Sequence, residues 1–297
     1  MSARLPGEAA VPFAVPEVLP LVGSTNRYLV DLVRAGLADG SQVPEGYAVV
    51  AEYQSQGRGR HERRWEAPPG SAVLCSILFR PGLGFEQFHL TAWVVALSAI
   101  EACRETAGVE LSLKWPNDLV ALEATSGQGR RGSSARTSGA KKVAGILSEV
   151  VRSGTASDAA TELDTESAVV VGVGINVNWP RGWPPEDTDD PALASIAAHG
   201  TAINRLSGLE VDRFALVGRL LRCAGAMNAR LATGQGRREL ASHYRRACST
   251  IGREVRVDLA EEAVVGTALD VDDAGRLLLA TGACIRTISA GDVVHLR

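Results

Sequence analysis

Two apolar runs with strand character, Tyr47–Ala51 and Ala72–Phe79, enclose a segment that neither a strand nor a helix can absorb. It carries Arg58, Arg60, Arg63 and Arg64 within seven residues, interleaved with Gly57 and Gly59 and followed by Trp65 and a Pro68-Pro69-Gly70 turn. The chain must leave a sheet here and return to it. Glycine lets a backbone approach a ligand closely and supplies positive φ. Guanidinium groups present rigid forks of donors that match phosphate and carboxylate oxygens. A basic, glycine-broken loop between two strands is therefore a candidate anion clamp, in the place where folds carry their function.

The rest of the chain supplies a scaffold for it. Residues 1–17 read as a flexible arm, broken by Pro6, Pro12 and Pro16. Val18–Val22 is a short strand, and Gly23-Ser24-Thr25-Asn26 precedes a helix with Leu29, Leu32, Val33 and Leu37 on one face. Gln87–Thr106 is a helix buried along Leu90, Trp93, Val94, Leu97, Ile100 and Cys103. Glu110–Lys114 alternates as a strand and breaks at Trp115-Pro116-Asn117-Asp118, after which Leu119–Leu122 resumes. Residues 123–141 have almost no apolar content and read as a flexible insertion; 152–167 is a second polar stretch. Between them Lys142–Val150 is a strand containing Gly145, and Ala168 opens another β-rich run. Ala192–Ala197, Val211–Leu231 and Glu239–Ala247 read as helices, the second with Phe214, Val217, Leu221, Ala224, Met227 and Leu231 on its apolar face. Beyond Ser249 the texture changes to short strands with turn signals, Glu254–Leu259, Ala263–Val271, Arg276–Leu279 and Cys284–Ile288, which suggests a small barrel. The expected division is an arm at 1–17, a main domain at 18–248 and a C-terminal domain at 249–297.

Several classes of function drop out. A net charge of −3 over 297 residues gives no global attraction to nucleic acid, so a basic site must be local. No apolar span is long enough to cross a membrane and no secretory leader is evident. Five cysteines without CxxC spacing suit reduced thiols, and the expected location is cytoplasmic. No phosphate loop, nucleophile elbow or zinc pair occurs: His61-Glu62 starts an HExxH pattern, but Trp65 stands where its second histidine belongs. What remains is the arginine loop, the Lys114–Asp118 strand break, Lys142 and the polar trio Ser24–Asn26. Singly, each has a bland account: a helix cap for Ser24 or Thr25, a self-bonded turn for Asn117 and Asp118, a surface lysine for Lys142.

Together they resemble a family. Ser24-Thr25-Asn26, Gly57-Arg58-Gly59-Arg60 with Trp65, Lys114-Trp115-Pro116-Asn117-Asp118, Lys142-Val143-Ala144-Gly145-Ile146-Leu147 and Gly172-Val173-Gly174-Ile175-Asn176 follow the order and approximate spacing of the bacterial biotin–protein ligases. Gly252-Arg253 and Ala290-Gly291-Asp292-Val293 extend the resemblance to the C-terminal end. It implies an α+β fold: a mixed central sheet with packed helices, like class II synthetase catalytic domains, plus a C-terminal SH3-like β-barrel. It implies ATP-dependent formation of biotinyl-5′-AMP, then transfer of biotin to a lysine of a biotin carboxyl carrier protein or domain. ATP with Mg²⁺ is the implied cofactor set, with Mg²⁺ near Asp118; no nucleic-acid or membrane partner is expected, and a homodimer is compatible.

The same resemblance assigns roles. Arg58 and Arg60 take the phosphates and the biotin carboxylate, with Gly59 wrapping the intermediate, and Lys142 stabilises charge developing at the α-phosphate. Ser24, Thr25, Asn26 and Gln54 hold the ureido head. Trp65 packs over the adenine end, Gly145 and Asn176 lie along the adenylate, and Lys114, Asn117 and Asp118 form the ATP region. Arginine repulsion is expected to keep the loop mobile until an anionic ligand orders it. One residue departs from the pattern: Glu62 stands where the family usually has glycine, adding a negative charge and removing an easy positive φ. Relatives that double as repressors carry an N-terminal helix-turn-helix, which 17 residues cannot supply. The lipoate- and octanoyl-transfer branch lacks this combination of motifs, and a ligand-binding module without turnover would leave the arginines structural.

Overall fold

The computed structural model describes residues 13, 15–122, 139–152, 167–282 and 284–296. The polar segments expected at 123–141 and 152–167 fall almost wholly outside them. In chain order the elements are β1 (Glu17–Leu19), α1 (Thr25–Asp39), β2 (Ala48–Ala51), β3 (Ala72–Phe79), α2 (His89–Ala107), β4 (Ser112–Lys114), β5 (Asp118–Ala121), β6 (Lys141–Val151) and β7 (Ala168–Asn176). Then come α3 (Pro191–His199), α4 (Ile203–Ser207), α5 (Arg213–Arg230), α6 (Gly234–Ala247), β8 (Glu254–Asp258), β9 (Ala263–Val271), β10 (Leu277–Thr281), β11 (Cys284–Ile288) and β12 (Asp292–His295).

β1 to β7 form one mixed sheet in the order β1-β2-β3-β7-β6-β5-β4, parallel only between β1 and β2. Both faces are covered, which is why β3 is buried at every position and reads as an apolar run broken only by Ser76. Its pleat divides the residues. Cys75, Ile77 and Phe79 face a core shared with α2 and α5, whereas Leu78 joins Leu29, Val30 and Val33 of α1 with Val49 and Val170. Burying each such side chain contributes about 1.5–3 kcal/mol, so the helices are held by the sheet rather than by propensity. β8 to β12 form a second sheet, wholly antiparallel, in the order β11-β10-β9-β8-β12. The fold is thus the expected mixed sheet with packed helices plus a small C-terminal β unit. Residues of both sheets belong to one continuous apolar core.

Local differences from the sequence expectations have identifiable causes. The end of the arm is tied down: Glu17 opens β1 and accepts hydrogen bonds from Tyr28 Oη (2.9 Å) and Tyr47 Oη (2.7 Å). Val22, expected in the first strand, makes only an isolated bridge to Gln54. Lys141, expected in the insertion, is the first residue of β6. α6 begins five residues before the expected Glu239, because Thr233 Oγ1 caps it by accepting from Gly236 N–H at 3.0 Å. A Cβ on Gly236 would lie 2.1 Å from Arg230 O, so the glycine that disguises the helix is what lets it pack. Phe214, expected on the apolar face of α5, is 52% exposed, and Leu216 and Leu220 take the buried positions. Four of the five cysteines are buried free thiols and Cys284 is exposed.

Candidate active site

The polar trio does not cap α1 in the expected way. Ser24 is the N-cap by position, but its side chain makes no capping bond. Ser24, Thr25 and Asn26 are only 6%, 4% and 3% exposed and turn inward. Thr25 donates from its backbone N–H (2.7 Å) and its hydroxyl (3.0 Å) to Gln54 Oε1. Asn26 Nδ2 donates to Leu147 O (3.1 Å) and Glu149 Oε2 (3.0 Å). Ser76 Oγ stands 2.8 Å from Thr25 Oγ1 and 2.6 Å from Asn26 Oδ1. Buried polar groups need such partners, and here they form one network across α1, β3 and β6. Gly172 makes room for it, since a Cβ there would fall 2.1 Å from Asn26 Oδ1. Ser76 was missed by sequence reasoning; its signal is a lone hydroxyl in the run Ala72–Phe79.

The arginine loop is a small hairpin. Arg58 and Arg64 form an antiparallel bridge, Gly59 N–H donates to Arg63 O (2.7 Å) and Trp65 N–H to Gly57 O (3.0 Å). A Cβ on Gly57 would meet Trp65 O at 2.2 Å, so this glycine serves close approach. Positive φ, expected at Gly57 and Gly59, falls instead on His61 (52°) and Glu62 (59°). Glu62 therefore adopts the conformation that was expected to be less accessible to it than to glycine. The expected mutual repulsion of the arginines is offset by partners. Arg58 pairs with Glu149 at 2.8 Å, Arg64 with Glu66 at 2.6 Å and Arg63 with Asp292, while Arg60 donates to Asn117 Oδ1 and Gly291 O, each at 3.3 Å. Burial draws the Arg60 pKa down, opposed by Asp292 and Asp118; an arginine remains cationic at neutral pH even so.

Behind the hairpin, Trp65 lies on bare sheet. Gly145 and Gly174 are cross-strand partners, and a Cβ on them would meet the indole at 3.1 and 2.6 Å. Lys142 Nζ is 5.7 Å from the same ring and 2.7 Å from Asp118 Oδ1. Lys114 pairs with Asp118 across β4 and β5; burial lowers its pKa, partly countered by Asp118. The strand break is braced from the C-terminal sheet. Trp115 donates from its backbone N–H to Thr250 Oγ1 (3.0 Å) and from its indole to Gly275 O (2.9 Å). Asn117 Nδ2 donates to Ile146 O at 2.9 Å. Asn176 is buried at the end of β7, where Nδ2 donates to Thr201 O (3.0 Å), and Thr201 N–H bonds Lys142 O (2.9 Å). It supports Lys142 from behind.

Among the described residues, Arg60, Arg63, Lys114 and Lys142 converge with Asp118 and Asp292 as their counter-charges, an arrangement suited to an anion. A cavity of about 720 Å³ runs along the hairpin past Gln56, Arg58, Arg60, Arg63 and Leu147. A second, of about 230 Å³, is walled by Arg60, Trp93, Asn117, Ser148 and Tyr244. Arg60 and Leu147 border both. Ser24, Thr25 and Asn26 line neither, and Asn26 packs against Gly172 of β7. Among the described residues no group of three or more His, Cys, Asp or Glu could hold a metal, and no helix is long and apolar enough to cross a membrane.

Residues 18–165 match the biotin/lipoate A/B protein ligase family, and residues 250–296 match the biotin protein ligase C-terminal domain. A biotin–[acetyl-CoA-carboxylase] ligase of Mycobacterium tuberculosis is 35% identical over 287 residues, 95% of this chain and 89% of the relative. The bifunctional ligase/repressor BirA of Escherichia coli is 27% identical over 93% of this chain and 72% of its own length. The structure of an Aquifex aeolicus biotin protein ligase in complex with biotin and ATP superimposes with a TM-score of 0.68 at 26% identity, covering 94% of this chain and 97% of that one. A relative this similar over nearly the whole chain, together with the two family matches, establishes that this protein belongs to the biotin–protein ligase family.

Proposed function

We propose that this protein is an ATP-dependent biotin–protein ligase. The observation that carries the proposal is the convergence of Arg60, Lys114 and Lys142 beside a floor of bare glycine backbone and a buried hydrogen-bonding network. A biotin carboxylate oxygen attacks the α-phosphorus of ATP; the P–O bond to the β-phosphate breaks and pyrophosphate leaves. The lysine amine of a carrier domain then attacks the carbonyl of the mixed anhydride, AMP leaves, and an amide forms with loss of a proton. The first step brings anions together, and Arg58, Arg60 and Lys142 supply preorganised positive charge where negative charge grows. Thr25, Asn26 and Gln54 already belong to a buried network of paired donors and acceptors, the chemistry a ureido head requires. Trp65 offers a flat apolar face to the nucleotide, and Gly59, Gly145 and Asn176 line or support its path. Asp118 supplies one carboxylate among the cations, and a single carboxylate plus phosphate oxygens is a usual environment for Mg²⁺ carried in with ATP.

The catalytic unit would span 18–248 and the C-terminal unit 249–297, a division supported by the separate sheet and the separate family match at 250–296. The acceptor is proposed to be the biotin carboxyl carrier domain of acetyl-CoA and related carboxylases, and the compartment the cytoplasm. The test is incubation with biotin, ATP, Mg²⁺ and a carrier domain, read by the mass of the acceptor lysine peptide. A biotinyl adduct that requires ATP is expected. Lipoate-dependent but not biotin-dependent pyrophosphate exchange would overturn the proposal in favour of the lipoate branch.

A further inference from the structure

The tip of the arginine hairpin concentrates its backbone strain. Arg63 N–H donates to Arg60 O at 3.1 Å, closing a four-residue turn whose two central residues, His61 and Glu62, both have positive φ. This is the pattern of a type I′ hairpin turn, which strongly prefers Asn-Gly, Asp-Gly or Gly-Gly at its two central positions, and asparagine too enters the left-handed region readily. Histidine tolerates the left-handed region better than most side chains; glutamate has no such advantage. Among the described residues neither the His61 nor the Glu62 side chain makes a hydrogen bond or ion pair, so no local contact offsets the strain. The turn is held from its flanks: by the rungs at Gly59 and Trp65, by Arg63 on Asp292, and by Arg60 on Asn117 and Gly291. Opening the hairpin would release two strained residues and free Arg60 together.

We propose that Glu62 is a positioning residue: its left-handed backbone sets how often the hairpin closes over Arg60, and through that how long an acyl-adenylate is retained. The inference rests on the ligase function proposed above. It implies that this chain holds its intermediate less tightly than the same loop with glycine or asparagine at position 62.

The experiment compares Glu62→Gly, Glu62→Asn, Glu62→Gln and Glu62→Val with wild type. Tryptic cleavage after Arg58, Arg60, Arg63 and Arg64 is timed without ligand, and thermal midpoints confirm that each variant is folded. Relief of one strained residue should slow cleavage roughly fivefold in Glu62→Gly and Glu62→Asn. Glu62→Gln, which removes charge but keeps the strain, should stay within about twofold of wild type, and the β-branched Glu62→Val should be cut faster. With limiting carrier domain, the ratio of pyrophosphate released to biotin transferred should fall in the Gly and Asn variants. Wild-type cleavage rates in both, or equal slowing by Gln, would overturn the inference, as would slower cleavage with an unchanged ratio. The ligand-free cleavage rates need no substrate. A wild-type protein that released no pyrophosphate from biotin and ATP would therefore overturn the ligase function while leaving the turn itself measurable.

Discussion

Lys142 and Arg60 both lie near Asp118 and should fail differently when truncated. Lys142 is fixed by Asp118 at 2.7 Å and backed by Asn176 through Thr201, so its loss removes charge stabilisation from adenylate formation. Lys142→Ala is expected to lower the single-turnover rate of pyrophosphate release by roughly 10²–10³-fold, the usual effect of deleting one preorganised donor. Arg60→Ala should form adenylate but lose it, seen as pyrophosphate release exceeding biotin transfer. Gly172 offers a purely steric test. Its absent Cβ is the space that Asn26 Oδ1 occupies, so Gly172→Ala should displace the whole Asn26–Ser76–Thr25 network. About 1–3 kcal/mol of stability should be lost by overpacking. Biotin affinity by calorimetry should fall with it; an unchanged affinity would remove the network from the biotin site.

At the scale of elements, the arginine hairpin divides what the sequence made legible from what it did not. Its position between two strands, its glycines and its cations were readable from the pattern alone, and the strands on either side follow from apolar runs. Its partners were not. Glu149 is 91 residues from Arg58 and Asp292 is 229 from Arg63, and no local pattern encodes a pair so distant. The same holds for Ser76, whose meaning depends on which face of β3 meets α1. Positive φ was assigned to the glycines because glycine takes it at least cost, whereas hairpin twist placed it on His61 and Glu62. The ion pairs are half-exposed, each worth at most about 1 kcal/mol, so the ligand-free hairpin is held weakly. Biotin with ATP should therefore protect it from trypsin well beyond either alone. Equal cleavage with and without both ligands would count against ordering by the adenylate.

The whole molecule is joined where its two sheets meet, through Trp115 on Gly275 and Thr250, Arg245 on Asp273, and Arg63 on Asp292. His295 lies in this junction, 3.1 Å from Thr250 Oγ1. Burial, with Lys114 and Arg253 nearby, depresses its pKa from 6.5 to about 4. The unfolded chain therefore binds this proton first. The stability due to neutral His295 is complete above pH 6.5 and is lost as pH falls toward about 4. Thermal midpoints measured between those limits should fall less steeply for His295→Gln than for wild type. The junction also has a consequence for communication. Gly291 and Asp292, at the start of β12, contact Arg60 and Arg63, the groups that would grip the ligand. Coupling between a ligand and the strand that braces its binding groups is reciprocal: whatever the strand contributes to binding, binding returns to the strand. Amide hydrogens of β12 should then exchange more slowly when biotin and ATP are present. The last strand described would serve as a gauge of what the hairpin grips.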